Sequence, residues 1–192
     1  MPLSDNELKQ IDIKKLLDNR PNKDVYYLTL AFVVAQASFD PSSKCGSIIV
    51  SRDGRILSTG YNGPIKHSKD EEIPLTRPSK YAHWIHGEEN SLLAYNGSYQ
   101  DIVDSTIYVT GRPCSRCLRG ILQKGITKIV YGRDVTHVVD QEDINAQIIM
   151  LNHHPEVKMV EIQDCIDIQL LLKKTDEYIE MKKKMKANYE EK

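Results

Sequence analysis

The chain has 192 residues, of which 40% are hydrophobic and 28% are charged, proportions that argue against a disordered tail or a membrane protein. Its 26 lysines and arginines against 27 aspartates and glutamates give a net charge of −1, which argues against a basic protein that coats duplex nucleic acid. The N-terminal segment MPLSDNELKQIDIKK is charged and has no apolar core, so it does not predict a secretory signal. We therefore expect one cytoplasmic domain over residues 1–192, with no membrane partner.

The N-terminal part of the chain predicts two helices. Ser4-Asp5-Asn6-Glu7 is a capping box that should open a helix over residues 4–18. Residues 24–38 are apolar nearly all round, which favours a buried helix. Pro41 should end this helix, because a proline disfavours helical geometry at the residue before it.

A β-hairpin and a long loop should follow. Two β-rich runs, 46–51 and 55–60, are joined by Arg52-Asp53-Gly54, and Asp-Gly is a strong hairpin signal. The polar segment from Asn62 to about Ala82 is too long for a simple connection, so we expect it to be functional.

The next segment predicts a strand-helix-strand unit. Residues 105–110 and 127–131 are rich in β-branched side chains, and residues 115–124 between them fit a helix that Gly125 stops. Two strands joined through a helix should be parallel.

The pattern repeats once more before the C-terminal tail. A helix is expected near 143–152 and a strand near 157–162, which completes a core of about 24–162. Apolar residues at helical intervals predict an amphipathic helix over about 166–189, as a surface or an oligomer-packing element.

Two short segments carry the chemistry. They are His86-Gly87-Glu88 and Pro113-Cys114-Ser115-Arg116-Cys117, with 24 residues between Glu88 and Pro113. The imidazole and the two thiolates make three good Zn²⁺ ligands and leave a fourth tetrahedral position for water. Glu88 can face that water without being a ligand. A closed structural zinc site and a redox dithiol are the alternatives, but the first needs a fourth protein ligand and the second gives His86 and Glu88 no task.

The predicted elements support this interpretation. His86 and Glu88 should begin a helix that runs to about Tyr95, and Cys114 and Cys117 should lie in the first turn of the next helix. The partial positive charge of a helix N-terminus favours a thiolate. Both helix starts are expected beyond the carboxyl ends of strands, where open α/β sheets place their ligands.

The pattern H-x-E…P-C-x-x-C is the signature of zinc-dependent nucleobase deaminases. Within that class, residues 40–50 and 52–63 and the run His-Gly-Glu-Glu-Asn at 86–90 resemble the deoxycytidylate (dCMP) deaminases, and the resemblance runs from about Tyr26 to about Asp140. It implies a cytidine-deaminase-like α/β fold, a three-layer α/β/α sandwich around a mixed five-stranded sheet. It also implies hydrolysis of dCMP to dUMP and ammonia, which supplies dUMP for thymidylate synthesis.

The resemblance also implies roles for individual residues. His86, Cys114 and Cys117 would hold Zn²⁺, and Glu88 would be the proton shuttle. The substrate-binding candidates are the backbone at Gly87 for the pyrimidine edge, Asn62 for the sugar, and Lys44 and Arg112 for the phosphate. The family further implies a homo-oligomer, usually a hexamer, that binds the effectors dCTP and dTTP, the latter with Mg²⁺.

Three departures from the family pattern qualify these expectations. Gly87 replaces the usual alanine, Pro64-Ile65-Lys66-His67 replaces a glycine-rich stretch, and a tyrosine usually found after the fourth strand is missing near Val135-Thr136. The loss of the glycine-rich stretch weakens the case for triphosphate regulation. The missing tyrosine weakens the case for an ordinary dCMP pocket. The alternatives are a deaminase of another cytosine or adenine nucleotide, nucleoside or polynucleotide, and a non-enzymatic zinc-stabilised module. The net charge of −1 argues against a stable nucleic-acid partner.

Overall fold

A computed structural model describes residues 22–76, 78–132 and 140–162. The expected helices at 4–18 and about 166–189, and the position near Val135-Thr136, lie outside these residues. In chain order the helices and strands are α1 (Lys23–Ala35), β1 (Gly46–Val50), β2 (Ile56–Tyr61), β3 (Gly63–Pro64), β4 (Trp84–Ile85), α2 (Gly87–Ala94), α3 (Tyr99–Ile102), β5 (Thr106–Val109), α4 (Ser115–Gln123), β6 (Lys128–Gly132), α5 (Gln141–Asn152) and β7 (Lys158–Ile162).

Five of the strands form one mixed sheet in the order β2-β1-β5-β6-β7. Strand β1 pairs antiparallel with both β2 and β5, whereas β5, β6 and β7 run parallel. The hairpin β1–β2 and the parallel β5-α4-β6 unit are therefore confirmed. Gly54, in the turn between β1 and β2, and Gly125, just after α4, have φ of +90° and +74°, a backbone conformation that glycine adopts without strain.

Helices cover both faces of the sheet, which confirms the three-layer α/β/α sandwich. On one face, α1 packs Leu28 and Ala31 against Ile48, Tyr108 and Val130 of the strands. The other face is covered by α2 to α5. Its larger core contains Leu92, Ile102, Leu118 and Ile121 of the helices, with Ile49, Ile107, Val109, Ile129 and Tyr131 of the strands.

Helix α1 differs from its prediction in two respects. It ends at Ala35, well before Pro41, because the N–H groups of residues 36–38 bond to the carbonyl groups three residues earlier and so tighten the last turn. It is also not buried all round, since Tyr26 and Val33 are 44% and 52% exposed.

The long loop contains structure that the sequence did not predict. Strands β3 and β4 pair as a two-stranded sheet, and two short 3₁₀ helices lie between them, at Asp70–Glu72 and Ser79–Ala82. Because β4 ends at Ile85, this pairing positions the residue that follows it, His86. None of the helices in the described segments has the length and apolar character needed to cross a membrane.

Candidate active site

Two helix N-termini bring the three predicted metal ligands together. His86 is the N-cap of α2, and Cys114 is the N-cap of α4. Cys117 follows in the first turn of α4, so its sulfur returns to the same end of that helix. The Nδ1 atom of His86 lies 3.5 Å from the Cys114 sulfur and 3.4 Å from the Cys117 sulfur.

These separations fit a tetrahedral zinc centre. With Zn–N of about 2.1 Å and Zn–S of about 2.3 Å, tetrahedral angles place neighbouring ligand atoms about 3.6 Å apart. All three candidate ligand atoms lie within 4.8 Å of one another. In the part of the chain that the structure describes, the metal-binding group contains these three residues and not Glu88.

The two cysteines are electrostatically coupled. A hydrogen bond from the Cys117 thiol lowers the pKa of Cys114 to about 4. The same hydrogen bond, with burial, raises the pKa of Cys117. The hydrogen bond between Cys114 and His86 raises the pKa of the imidazole. One histidine nitrogen and two cysteine sulfurs form a donor set that suits zinc. Zinc binding would require both cysteines to be deprotonated.

Glu88 lies in the first turn of α2 and is only 5% exposed. Its negative charge contributes to the raised pKa values of His86 and Cys117, which places the carboxylate in the same electrostatic environment as the cluster. Glu88 also lines the cavity onto which His86 and Cys114 open.

Glycines let α2 approach the hairpin closely. A Cβ atom on Gly60 would lie 2.3 Å from both the Gly87 oxygen and the Ser91 nitrogen, so the backbone of β2 touches the first turn of α2. A Cβ atom on Gly87 would lie 3.1 Å from the Cys45 oxygen. Ser47 fixes the same turn by donating a hydrogen bond of 2.9 Å to the Gly87 oxygen.

The cavity beside the cluster has a volume of about 440 Å³, within the range of small-molecule sites. The charged side chains that line the cavity are both basic and acidic. The basic side chains are Lys80, Arg112 and Arg116, and besides Glu88 the acidic ones are Asp40, Asp140 and Asp143.

Asn62, predicted to contact the sugar, lies in the cavity wall and is 8% exposed. Its Nδ2 donates to Asp40 at 2.8 Å and to the Ser43 carbonyl at 2.9 Å. Its Oδ1 accepts from the Cys45 N–H at 2.8 Å. Both amide hydrogens are therefore committed to the protein, and the second lone pair of Oδ1 is the position left for a ligand.

The two predicted phosphate contacts differ in position. Arg112 lines the cavity, donates from Nε to Gln147 at 3.0 Å and holds its guanidinium 5.9 Å from the Tyr131 ring centroid. Lys44 is exposed and is not among the residues that line the cavity. The geometry therefore favours Arg112 over Lys44.

Sequence reasoning missed two polar groups in the cavity wall. One is the buried ion pair of Asp40 and Lys80, whose ammonium also lies 5.0 Å from the Trp84 ring. The other is Asp143, which lines the cavity, together with its fully buried neighbour Gln147 on α5; both bond to the start of α4. No local spacing could reveal them, because the members of each contact lie more than 25 positions apart in the chain.

Comparison with known proteins agrees with this geometry. A family model described as the cytidine and deoxycytidylate deaminase zinc-binding region matches residues 21–133. The chain is 31% identical to the deoxycytidylate deaminase of Homo sapiens over 133 residues, 66% of this chain and 72% of that protein. It is 33% identical to the deoxycytidylate deaminase of Mycobacterium phage D29 over 129 residues, 60% of this chain and 98% of that one.

A solved structure shares the fold. The dCMP deaminase of cyanophage S-TIM5, determined in complex with dCMP and dUMP, superposes with a TM-score of 0.57 at 24% identity, covering 74% of this chain and 98% of that one. The family match includes both segments that carry the candidate metal ligands. The chain therefore belongs to the cytidine and deoxycytidylate deaminase family.

Proposed function

We propose that this protein deaminates dCMP hydrolytically to dUMP and ammonia, with zinc held by His86, Cys114 and Cys117. The observation that carries the proposal is the close approach of these three side chains at two helix N-termini, with the buried Glu88 carboxylate beside them. The deoxycytidylate deaminases among its relatives support dCMP as the substrate.

His86, Cys114 and Cys117 would hold the zinc ion, and the bound ion would supply Lewis acidity. A zinc ion with three protein ligands acts as a Lewis acid that lowers the pKa of a coordinated water towards neutrality.

Glu88 moves the protons. Its carboxylate accepts a proton from the attacking water and delivers it to N3 of the cytosine, which makes C4 electrophilic. After the C–O bond to C4 forms, Glu88 carries the second proton to the amino group, and the C4–N bond breaks to release ammonia. One water is consumed and one ammonia is released. Burial of Glu88 suits this task, because it keeps bulk water away from the proton transfers.

Polar groups of the cavity wall would orient the nucleotide. The Oδ1 atom of Asn62 can accept a hydrogen bond from a sugar hydroxyl. The guanidinium of Arg112 offers a charge-assisted contact to the 5′-phosphate, worth about 1.5–3 kcal/mol. The backbone at Gly87, in the first turn of α2, would contact the pyrimidine edge, as the resemblance to the family implies.

The mixed charge of the cavity favours a mononucleotide over a polynucleotide. A single-strand site combines a positively charged groove with stacking aromatic side chains. In the described residues, the cations Lys80 and Arg116 are each paired with a carboxylate, Asp40 and Glu89 respectively, so the lining offers no continuous basic track.

A substrate panel tests the proposal. Ammonia release is measured with dCMP, deoxycytidine, cytosine and a short deoxycytidine-containing oligonucleotide. We expect dCMP to give a kcat/KM at least tenfold above that of deoxycytidine, because deoxycytidine lacks the phosphate that Arg112 would contact. Equal values for dCMP and deoxycytidine would identify a nucleoside deaminase, and release from the oligonucleotide alone would identify a polynucleotide enzyme.

We further propose a homo-oligomer, a hexamer by resemblance to the family, regulated by dCTP and by dTTP with Mg²⁺. Exposed apolar side chains such as Leu93 and Ile149, 68% and 62% exposed, are available for subunit contacts. Light scattering tests the assembly, and a monomer at micromolar concentration would refute it. Turnover against dCMP concentration with each triphosphate tests the regulation, and a hyperbolic curve that neither effector shifts would refute that part.

A further inference from the structure

We infer that Gln147 is a positioning residue that couples the phosphate-binding side of the cavity to the metal-binding turn, an inference that rests on the proposed function. Gln147 lies on α5, outside the segment matched by the family model, and its side chain is completely buried. Its amide contacts the proposed phosphate contact Arg112, the carbonyl of Pro113 next to the candidate ligand Cys114, and Asp143.

Every polar atom of this amide has a defined partner. Nε2 donates to the Pro113 carbonyl at 3.0 Å and to the Asp143 carboxylate at 2.7 Å. Oε1 accepts from Nε of Arg112 at 3.0 Å. A flipped amide would set its oxygen against two acceptors and its NH₂ against a donor, so the three partners fix one orientation.

The contacts on the metal side hold the start of α4. Pro113 directly precedes the candidate ligand Cys114. Asp143 accepts hydrogen bonds of 2.9 Å from the Ser115 N–H and 2.5 Å from the Ser115 hydroxyl. Gln147 thus braces the turn from Pro113 to Ser115 both directly and through Asp143.

The contact on the substrate side holds Arg112. Its Nε–H is bound to Gln147, its guanidinium lies near the Tyr131 ring, and the side chain lines the cavity. Fixing a long side chain in advance reduces the entropy lost when it binds phosphate. One buried amide therefore sets the position of the proposed phosphate contact relative to the metal ligands.

Two independent readouts test this coupling. The first is the rate at which a chromogenic chelator removes zinc from the folded protein, which needs no substrate. The second is the ratio of kcat/KM for dCMP to that for deoxycytidine. Gln147→Leu keeps the approximate volume but removes all three hydrogen bonds. We expect zinc release at least tenfold faster, since groups that support metal ligands typically contribute about 10–100-fold, and a several-fold lower dCMP preference.

Three further variants separate the two sides. Asp143→Asn presents a donor to Gln147 and should accelerate zinc release alone, whereas Arg112→Lys should lower the dCMP preference alone. Gln141→Leu, the same substitution at an exposed position of the same helix, is the matched control and should alter neither. If Gln147→Leu fails to fold, Gln147→Glu replaces it; it keeps the acceptor for Arg112 and should accelerate zinc release while retaining the dCMP preference.

The results separate the two proposals. A Gln147→Leu protein that changes only one readout, or changes only the melting temperature, would overturn the coupling. For Gln147→Glu, a zinc-release rate equal to that of the parent protein, or the loss of the preference for dCMP, would also overturn the coupling. If the parent protein turned over neither dCMP nor deoxycytidine, the proposed function would fail, and zinc release would still decide whether Gln147 supports the metal-binding turn.

Discussion

At the scale of single residues, the proposed mechanism depends most on Glu88, because one carboxylate would move both protons. Glu88→Gln keeps the size of the side chain and removes its capacity to accept a proton. General acid–base catalysis typically contributes about 10²–10⁴-fold, so we expect kcat to fall by at least 10²-fold. Bound zinc, measured by metal analysis, should remain at the parental level, since Glu88 is not among the candidate metal ligands.

The neighbouring glutamate provides the control for this substitution. Glu89 lies on the same turn but is only partly buried and is paired with Arg116 at 3.2 Å. Glu89→Gln should keep kcat within a few-fold of the parent. Activity of Glu88→Gln within tenfold of the parent would show that another group moves the protons.

Cysteine substitutions test the metal ligands. Cys117→Ala should lower bound zinc from about one equivalent per chain to near zero, because a buried three-ligand site has no described substitute for the lost sulfur. The control is Cys45→Ser, which alters a cysteine that lies at the cavity but outside the His86–Cys114–Cys117 group. Full zinc retention in Cys117→Ala, by metal analysis, would refute the assignment.

Residues near one another in the sequence were the predictable part of the site. The Cys114 and Cys117 spacing forces both sulfurs to one helix end, and Glu88 follows His86 by two positions. Asp40 and Lys80, or Arg112 and Gln147, meet only because distant elements pack together. Their contacts depend on the tertiary fold, and one sequence contains no spacing rule for them.

At the scale of elements, the close packing of α2 on the hairpin makes a sharp prediction. Gly60→Ala would place a methyl group 2.3 Å from the backbone of α2, which cannot yield as a flexible side chain could. Overpacking of this kind costs about 1–3 kcal/mol or more. We expect a lower free energy of unfolding, measured by denaturant titration, and a disproportionate loss of activity, because α2 carries His86 and Glu88.

Gly63→Ala is the matched control on the neighbouring strand. The nearest atom to a Cβ at Gly63 is in the Tyr61 ring, at 3.8 Å, an ordinary contact distance. This variant should stay within about 0.5 kcal/mol of the parent. Equal stability of the two variants would mean that α2 and β2 do not approach as closely as described.

The packing of α1 against the sheet predicts a dependence of stability on alkaline pH. Tyr108 donates a hydrogen bond of 2.9 Å to Asp24 of α1, and burial followed by this hydrogen bond raises its pKa above the usual 10.0. Above pH 10 the unfolded chain releases a proton that the folded protein retains. This contribution is therefore complete below pH 10 and is lost above it, by up to about 1.4 kcal/mol per pH unit.

Tyr108→Phe checks the origin of this loss. The difference in unfolding free energy between the parent and Tyr108→Phe should shrink as the pH rises from 9.5 to 11. Tyr26→Phe, at an exposed position, should keep a constant difference from the parent. A difference that does not change with pH for Tyr108→Phe would contradict the assignment.

Periodicity and turn residues predicted most elements correctly. The Asp-Gly turn gave the β1–β2 hairpin, and the β-branched runs around 115–124 gave the parallel unit. The β3–β4 pair was not predicted because two-residue strands have no periodicity, and the end of α1 was misplaced because tighter hydrogen bonds stop the helix before Pro41 does.

At the scale of the whole molecule, α/β layering brings two helix N-termini to one cavity, and polar contacts between distant segments hold the cavity in shape. The buried pair of Asp40 and Lys80 connects the long loop to the segment between α1 and β1. Removing one partner of a buried ion pair typically costs about 3–5 kcal/mol. Local patterns predicted the hairpin and the strand-helix-strand units, and the resemblance to the dCMP deaminases implied the fold class. The shape of the cavity depends on these long-range contacts, which neither of them predicted.

The most direct test of the central claim is the conversion of dCMP to dUMP, followed chromatographically, by one preparation in three states: zinc-loaded, stripped by a chelator, and reloaded with zinc. We predict dUMP and ammonia in equal amounts from the loaded protein, loss of turnover on stripping, and recovery on reloading. Absence of dUMP from protein that contains one zinc per chain, or turnover that persists after the zinc has been removed, would contradict the account.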